Sequence, residues 1–328
     1  MKCVFFRVTG VLVVLVVLLA GCGQQEPSAP EHPESLAPTG PLSKLYKGNA
    51  GEKLQFTSDM LDGINVALAK EGKEFRVAYA EYITSGESNE IGQIIYARDV
   101  GNKQMGSHWV PGDPNRGGRT DITYVVDQID AMTTSGLSPV QTTTAIQQAM
   151  GTWQNVQCST IPLTQVPDYG VDWGYVQYLL GFGGVPSWFA DVTHGGWLPG
   201  AFFELLVPGG SNFVLGVTFT FIWVSGGEPT DMDNNGKDDV AFREIYYNDN
   251  FPWNIGATFD VETIALHEAG HGLSQAHFGK VFITTANGKL HFSPRAVMNA
   301  VYPGGVQQQL LGTDVGGHCS IWANWPNH

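Results

Sequence analysis

The stretch His267-Glu268-Ala269-Gly270-His271-Gly272-Leu273-Ser274-Gln275-Ala276-His277 decides how this chain of 328 residues is read. Two histidines four apart on a helix project from one face, a turn apart. Neutral imidazole is a good zinc ligand, and catalytic zinc sites take three protein ligands and keep one position open for water. Glu268 stands beside the first ligand, placed to act on that water without occupying a coordination position. His277 supplies a third nitrogen after the helix has ended. A histidine pair with a glutamate arises by accident on polar helices; the third histidine makes zinc the preferred reading.

The segment resembles the HExxHxxGxxH pattern of metzincin zinc endopeptidases, most closely their matrixin branch. Met298, in Arg295-Ala296-Val297-Met298-Asn299, resembles the family's Met-turn, which implies support beneath the ligands and no bond to the metal. The approach Phe259-Asp260 to Leu266 is similar too, with Asp260 as N-cap and Ile264 and Leu266 opening the buried side. So is the lead-in Arg243 to Trp253. The resemblance covers roughly residues 119–328. It implies an α+β, metzincin-like catalytic domain: a twisted mixed β-sheet, a long N-terminal helix, an active-site helix and a loop-rich C-terminal part. It also implies hydrolysis of a peptide or protein substrate, with Glu268 as general base for a metal-activated water. The alternative is a lipid-anchored, non-catalytic binding module whose zinc site is structural or vestigial. Glu268 argues against that, since a structural site has no use for a base. A hydrolase of a non-peptide bond is a third reading, disfavoured by the surrounding matrixin-like segments.

The sequence departs from the family at Ser274, where the pattern has glycine. A sharp turn out of the helix requires positive φ there, which costs a serine roughly 1 kcal/mol. Zinc coordination, on the order of 10 kcal/mol in structural sites, would offset it. Glycine at 274 is therefore expected to be neutral or slightly stabilising.

At the other end, Lys2 and Arg7 precede the apolar run Val8 to Ala20, too short for a comfortable membrane span and closed by Leu19-Ala20-Gly21-Cys22. This resembles a bacterial lipobox. It implies a signal peptide over 1–21, lipidation of Cys22, and a lipid anchor holding the protein extracytoplasmically in the cell envelope. Residues 22–43 are proline-rich with few large apolar groups and read as a disordered tether. The whole chain carries 17 Lys and Arg against 31 Asp and Glu, a net charge of −14. Removing the signal with Lys2 and Arg7 leaves 15 against 31, about −16. That excludes nucleic acid as a partner and a cationic grip on lipid. Of four cysteines, Cys158 and Cys319 remain once Cys3 is removed and Cys22 lipidated. In an oxidising compartment they are either a disulfide or two buried thiols.

Residues 44–118 alternate short apolar stretches with turns and form a small N-terminal region of uncertain role, bounded by Gly112-Asp-Pro-Asn-Arg-Gly-Gly118. Matrixin latency depends on a cysteine that masks zinc, and no cysteine lies between 23 and 157. A strand is expected over Thr120–Val126. A helix follows, with Ser138 as N-cap, Pro139 at N1, and Val140, Ile146, Ala149, Met150 and Trp153 on its apolar face. The aromatic stretch 168–213 reads as packed insertions, with His194 as a loop histidine outside the metal set. Leu215 to Trp223 alternates as a strand; the resemblance implies the cleft-bordering edge strand that pairs with extended substrate. Asp231, Asp233, Asn235 and Asp239 place oxygens at positions 1, 3, 5 and 9 of a loop with Gly236 at position 6. With a backbone carbonyl from Lys237, that set suits calcium, and the competing reading is an acidic solvated turn. Tyr302 lies within reach of the site by sequence, with no role assigned.

Overall fold

The computed structural model describes residues 58–88, 90–97, 106–286, 288 and 290–327. The apolar leader, Cys22 and the proline-rich tether lie outside them. Among the described residues no helix is long and apolar enough to cross a membrane.

A helix, α1 (Ser58–Lys70), leads into β1 (Phe75–Ser85), β2 (Ile94–Tyr96) and β3 (Ser107–His108). Then come β4 (Ile122–Val126), α2 (Pro139–Gln154), β5 (Leu163–Gln165), α3 (Tyr175–Leu180), β6 (Val192–Leu198) and α4 (Gly200–Glu204). The chain continues through β7 (Val214–Ser225), β8 (Glu228–Pro229), β9 (Asp238–Asn248) and α5 (Val261–Gly272). It ends with the hairpin β10 (Lys280–Ile283) and β11 (Leu290–Ser293), then β12 (Val301–Tyr302) and α6 (Gly312–Trp322). The main sheet is mixed, in the order β12-β1-β7-β9-β6-β4-β5. Strands β9, β6, β4 and β5 run parallel, while β7 is antiparallel to both its neighbours. The architecture is thus helices around a mixed sheet, compatible with α+β.

Each face of the sheet carries a core. One joins α2, α5 and α6 through Ile146, Trp153, Ile264, Leu266 and Trp322. The other joins α1, α3 and α4 through Leu61, Ile64, Leu179, Phe202 and Phe203. The helix expected after Ser138 is α2, and the Ser138–Gln141 pair forms its capping box. Ile146, Ala149, Met150 and Trp153 are buried as expected, but Val140 is 74% exposed because it lies on the outward face of the helix, in line with the exposed Thr144 and Gln147.

One expectation fails at β7. It is an inner strand, not an edge: β1 covers one side from Phe75↔Trp223 to Thr84↔Val214, and β9 covers the other. Nearly all of β7 is buried, so both rows of backbone N–H and C=O need partners within the protein. Residues 75–85, within the N-terminal region expected over 44–118, share one ladder with residues 214–225.

Candidate metal centre

The centre is built on α5. Asp260 accepts the Thr263 N–H at 3.0 Å, capping the helix as expected. The C-terminal end is more elaborate. Ser274 N–H bonds His271 O at 2.9 Å and Gln275 N–H bonds Gly270 O at 2.9 Å, the paired bonds of a Schellman motif. That motif needs a left-handed residue between them, and Ser274 has φ +63°. The departure from glycine is therefore real, and it has a compensation invisible in the motif. The buried guanidinium of Arg243 donates to Ser274 Oγ at 3.0 Å and to Gly272 O at 2.8 Å. Trp109 also donates to Gly272 O, and Trp322 to Leu273 O, so the last carbonyls of the helix are satisfied by buried side chains.

This turn carries His277 back to the helix. The Nε2 atoms of His267, His271 and His277 lie 3.1, 3.2 and 3.3 Å from one another. His267 Nδ1 faces Val297 O and His271 Nδ1 faces Gln275 O, each at 2.8 Å. A carbonyl only accepts, so those Nδ1 atoms carry the protons and both Nε2 atoms present lone pairs. These two lone pairs converge with His277 Nε2, a group of nitrogens that could hold a cation. Three ligands about 2.05 Å from a tetrahedral ion stand roughly 3.3 Å apart, so the donor set fits zinc in type and spacing. Burial drives His267 and His277 well below the ordinary imidazole pKa, leaving them neutral as ligands must be. At His271 burial acts the same way, but the carboxylates of Glu81 and Glu268 together with the Gln275 carbonyl raise the pKa above the ordinary value.

Glu268 is fully buried on the sheet side of α5. Thr218 Oγ1, on β7, donates to its Oε2 at 2.6 Å, while Oε1 has no partner among the described residues. Burial pushes its pKa up to about 7. Gly216 is required beside it, because a Cβ there would stand 2.7 Å from Glu268 Oε1. The result is an oriented carboxylate with one oxygen free to exchange a proton near neutrality.

No protein-family model and no curated protein matches the chain.

Met298 lies beneath the helix. A Cβ at Gly270 would collide with its Sδ and stand 2.9 Å from Trp153 Cζ2, so glycine lets the methionine pack against the backbone. The turn is fixed by Asp314 on α6, which accepts the N–H groups of Val297 at 2.9 Å and Met298 at 3.1 Å. Because Val297 O orients His267, Asp314 acts on the cluster at one remove. Tyr302 has a place too: its hydroxyl accepts the Phe259 N–H at 2.9 Å, and its side chain helps wall a cavity beside His267.

In the acidic loop, one oxygen from each of Asp231, Asp233 and Asp239 lies within 4.8 Å of the others. Asp231 accepts the N–H groups of Asn235 and Gly236, and Asn235 Oδ1 accepts that of Lys237. His194 is on β6, not in a loop; it is buried, with Nδ1 2.9 Å from Tyr247 Oη and Nε2 unpartnered among the described residues. Cys158 and Cys319 form a disulfide with Cα atoms 5.7 Å apart, tying the segment after α2 to α6. Sequence reasoning missed Thr218, Asp314, Arg243 and Glu81. Arg243 stands beside Glu244, Thr218 two residues from Thr220, and Asp314 in a polar, glycine-rich stretch, so nothing local marks the internal partner of any of them.

Proposed function

We propose that the protein is a zinc-dependent endopeptidase of the matrixin-like metzincin kind, with His267, His271 and His277 holding the ion and Glu268 as general base. The observation that carries this is the convergence of three Nε2 atoms beside a buried glutamate whose Oε1 has no partner among the described residues. A purely structural site would leave Glu268 paying a desolvation cost for nothing.

Bound there, zinc supplies a Lewis acid that polarises a carbonyl and lowers the pKa of a water. Glu268 takes the proton from that water at Oε1, while Thr218 holds Oε2 and with it the carboxylate plane. The oxygen adds to the scissile carbonyl carbon. Glu268 then delivers the same proton to the leaving nitrogen as the C–N bond breaks, which restores the carboxylate. A pKa near 7 suits both transfers.

The loop Asp231–Asp239 is proposed to hold calcium, supported by its three convergent carboxylates. The leader and Cys22 support a lipid-anchored position outside the cytoplasm.

Glu268→Ala tests the mechanism. The variant should keep zinc near one equivalent and lose peptidase activity on a peptide library by several orders of magnitude. Cleavage at the parental rate would refute the assignment of the base.

A further inference from the structure

We propose that the hairpin β10–β11 is a membrane-contact element, whose apolar face enters the interfacial layer of a lipid bilayer and holds the histidine cluster at the membrane surface. The choice of partner rests on the lipid-anchored reading.

The hairpin stands apart from the rest of the fold. Its two strands pair with each other and with no strand of the main sheet. All four residues of β10 are exposed. A two-stranded hairpin by itself is marginal in water and needs a further strand or a covering layer over one face. The register shows which face lacks cover. Val281 stands opposite Phe292 and Ile283 opposite Leu290, and residues opposed in an antiparallel ladder share a face. That face consists of four apolar side chains, and none of the four belongs to either core. The other face holds Lys280, Ser293 and Phe282, whose ring stacks on His291. Phe278, Val281, Phe282 and Ile283 are 46%, 37%, 48% and 61% exposed. Among the described residues twelve large apolar side chains are exposed, and residues 278–283 hold four of them. Apolar residues exposed singly need no explanation, whereas a cluster of this kind marks a surface that meets a partner.

Charge and reach decide which partner. Residues 269–313 contain no Asp or Glu, although the chain has 31 in 328, so about four would be expected there. They do contain Lys280, Lys289 and Arg295. The net charge of the whole molecule excludes a cationic grip on lipid, so the apolar face supplies the attraction. The acid-free stretch spares that face repulsion from anionic headgroups and brings cations to their level. A second copy of the chain would instead set these cations against one another. From Cys22 to Ser58 the chain could reach on the order of 120 Å at full stretch, so the tether leaves the orientation free. A bilayer held at that range is at high effective concentration, and a small apolar face suffices to engage it.

Topology gives the contact its consequence. β10 begins three residues after His277, and β11 ends five residues before Met298. Four residues of strand span only about 13 Å, so an inserted hairpin sets the histidine cluster close to the headgroups. Peptides held at the membrane surface then reach it more readily than freely diffusing ones.

The test uses the full-length chain, purified in detergent and reconstituted on vesicles of equal parts phosphatidylcholine and phosphatidylglycerol, with bromine on the acyl chains. An environment-sensitive dye is attached at Thr285→Cys, in the exposed turn of the hairpin. A control dye is attached at Val66→Cys, exposed on α1 over the opposite face of the sheet. Cys158 and Cys319 are closed to the dye by their disulfide, and the parent treated alike gives the background from Cys3 and Cys22. Bromine should remove roughly half or more of the emission at Thr285 and leave that at Val66 unchanged. Phe282→Asp with Ile283→Asp, in the Thr285→Cys chain, should abolish the quenching while the protein still floats with the vesicles. Ile283→Ser, a milder change at an exposed position, should weaken it and serves if the double variant misfolds. Flotation without quenching at Thr285 overturns the proposal and leaves the anchor standing. Quenching at Thr285 in a chain that mass spectrometry shows to carry no lipid sustains the hairpin and sinks the anchored reading. Shielding of the Thr285 dye from aqueous iodide that needs no vesicles and grows with protein concentration identifies a second copy as the partner and overturns the proposal.

Discussion

Ser274 sets two opposed effects against each other. Its φ of +63° costs a non-glycine residue about 1 kcal/mol, while its hydroxyl accepts a hydrogen bond from the buried Arg243 guanidinium. A hydrogen bond to a charged group contributes roughly 1.5–3 kcal/mol, and Arg243 keeps its bonds to Gly272 O and Thr220 when this one is lost. The hydrogen bond outweighs the strain. Ser274→Gly should therefore be less stable than the parent by about 1 kcal/mol, rather than neutral as the motif alone suggests, because it relieves the strain and loses the bond. Ser274→Ala keeps the strain and loses the bond, and should fall by about 2 kcal/mol. Denaturant unfolding of the zinc-loaded proteins gives the order directly. A glycine variant more stable than the parent would show the Arg243 contact to be worth little.

At the scale of elements, the loop between β8 and β9 is the clearest handle. Its three carboxylates lie at the head of β9, whose Arg243 reaches the end of α5. Calcium bound there should raise the melting temperature by preferential binding to the folded state. A calcium-selective chelator should lower the melting temperature while zinc stays bound, and Asp231→Ala with Asp233→Ala should abolish the response. A melting curve indifferent to millimolar calcium would reduce the loop to an acidic turn. The neighbouring elements also show what a sequence conveys. The beginnings of α2 and α5 were legible because capping is local: Ser138 with Pro139, and Asp260, act within one turn. The histidine cluster was legible because helical spacing puts His267 and His271 on one face. The neighbours of β7 were not. Alternation reports which residues face a core, and says nothing of which strand lies alongside. The partner, β1, comes far earlier in the chain, and its Glu81 belongs to no local pattern. Asp314 was hidden for the same reason, being tied to Val297 and Met298 only through the fold.

For the molecule as a whole, the excess of acidic groups has a local expression in stability. Burial, reinforced by the charges of Asp172, Asp127 and Asp249, raises the pKa of Asp130 to about 8. Asp127 is raised to about 6, again mainly by burial. For both, the folded pKa exceeds the ordinary value of 3.8, so the folded state binds the proton more tightly than the unfolded chain. The stabilisation is complete below about pH 4 and is lost as pH rises through the folded pKa, by about pH 8 for Asp130. Asp130→Asn removes this titration, so its melting temperature should gain on the parent's between pH 5 and pH 8.5. An equal difference at both values would show Asp130 to be ionised throughout. The indoles that secure α5 give the molecule one more property. Trp153, Trp109 and Trp322 donate to the carbonyls of Leu266, Gly272 and Leu273, so three of the nine tryptophans are fastened along a single helix. Their ultraviolet emission is therefore tied to the integrity of the helix that presents His267 and His271. Fraying at its C-terminal end would wet indoles that are now dry and shift their emission to longer wavelength, an optical signal of the histidine cluster that requires no added dye.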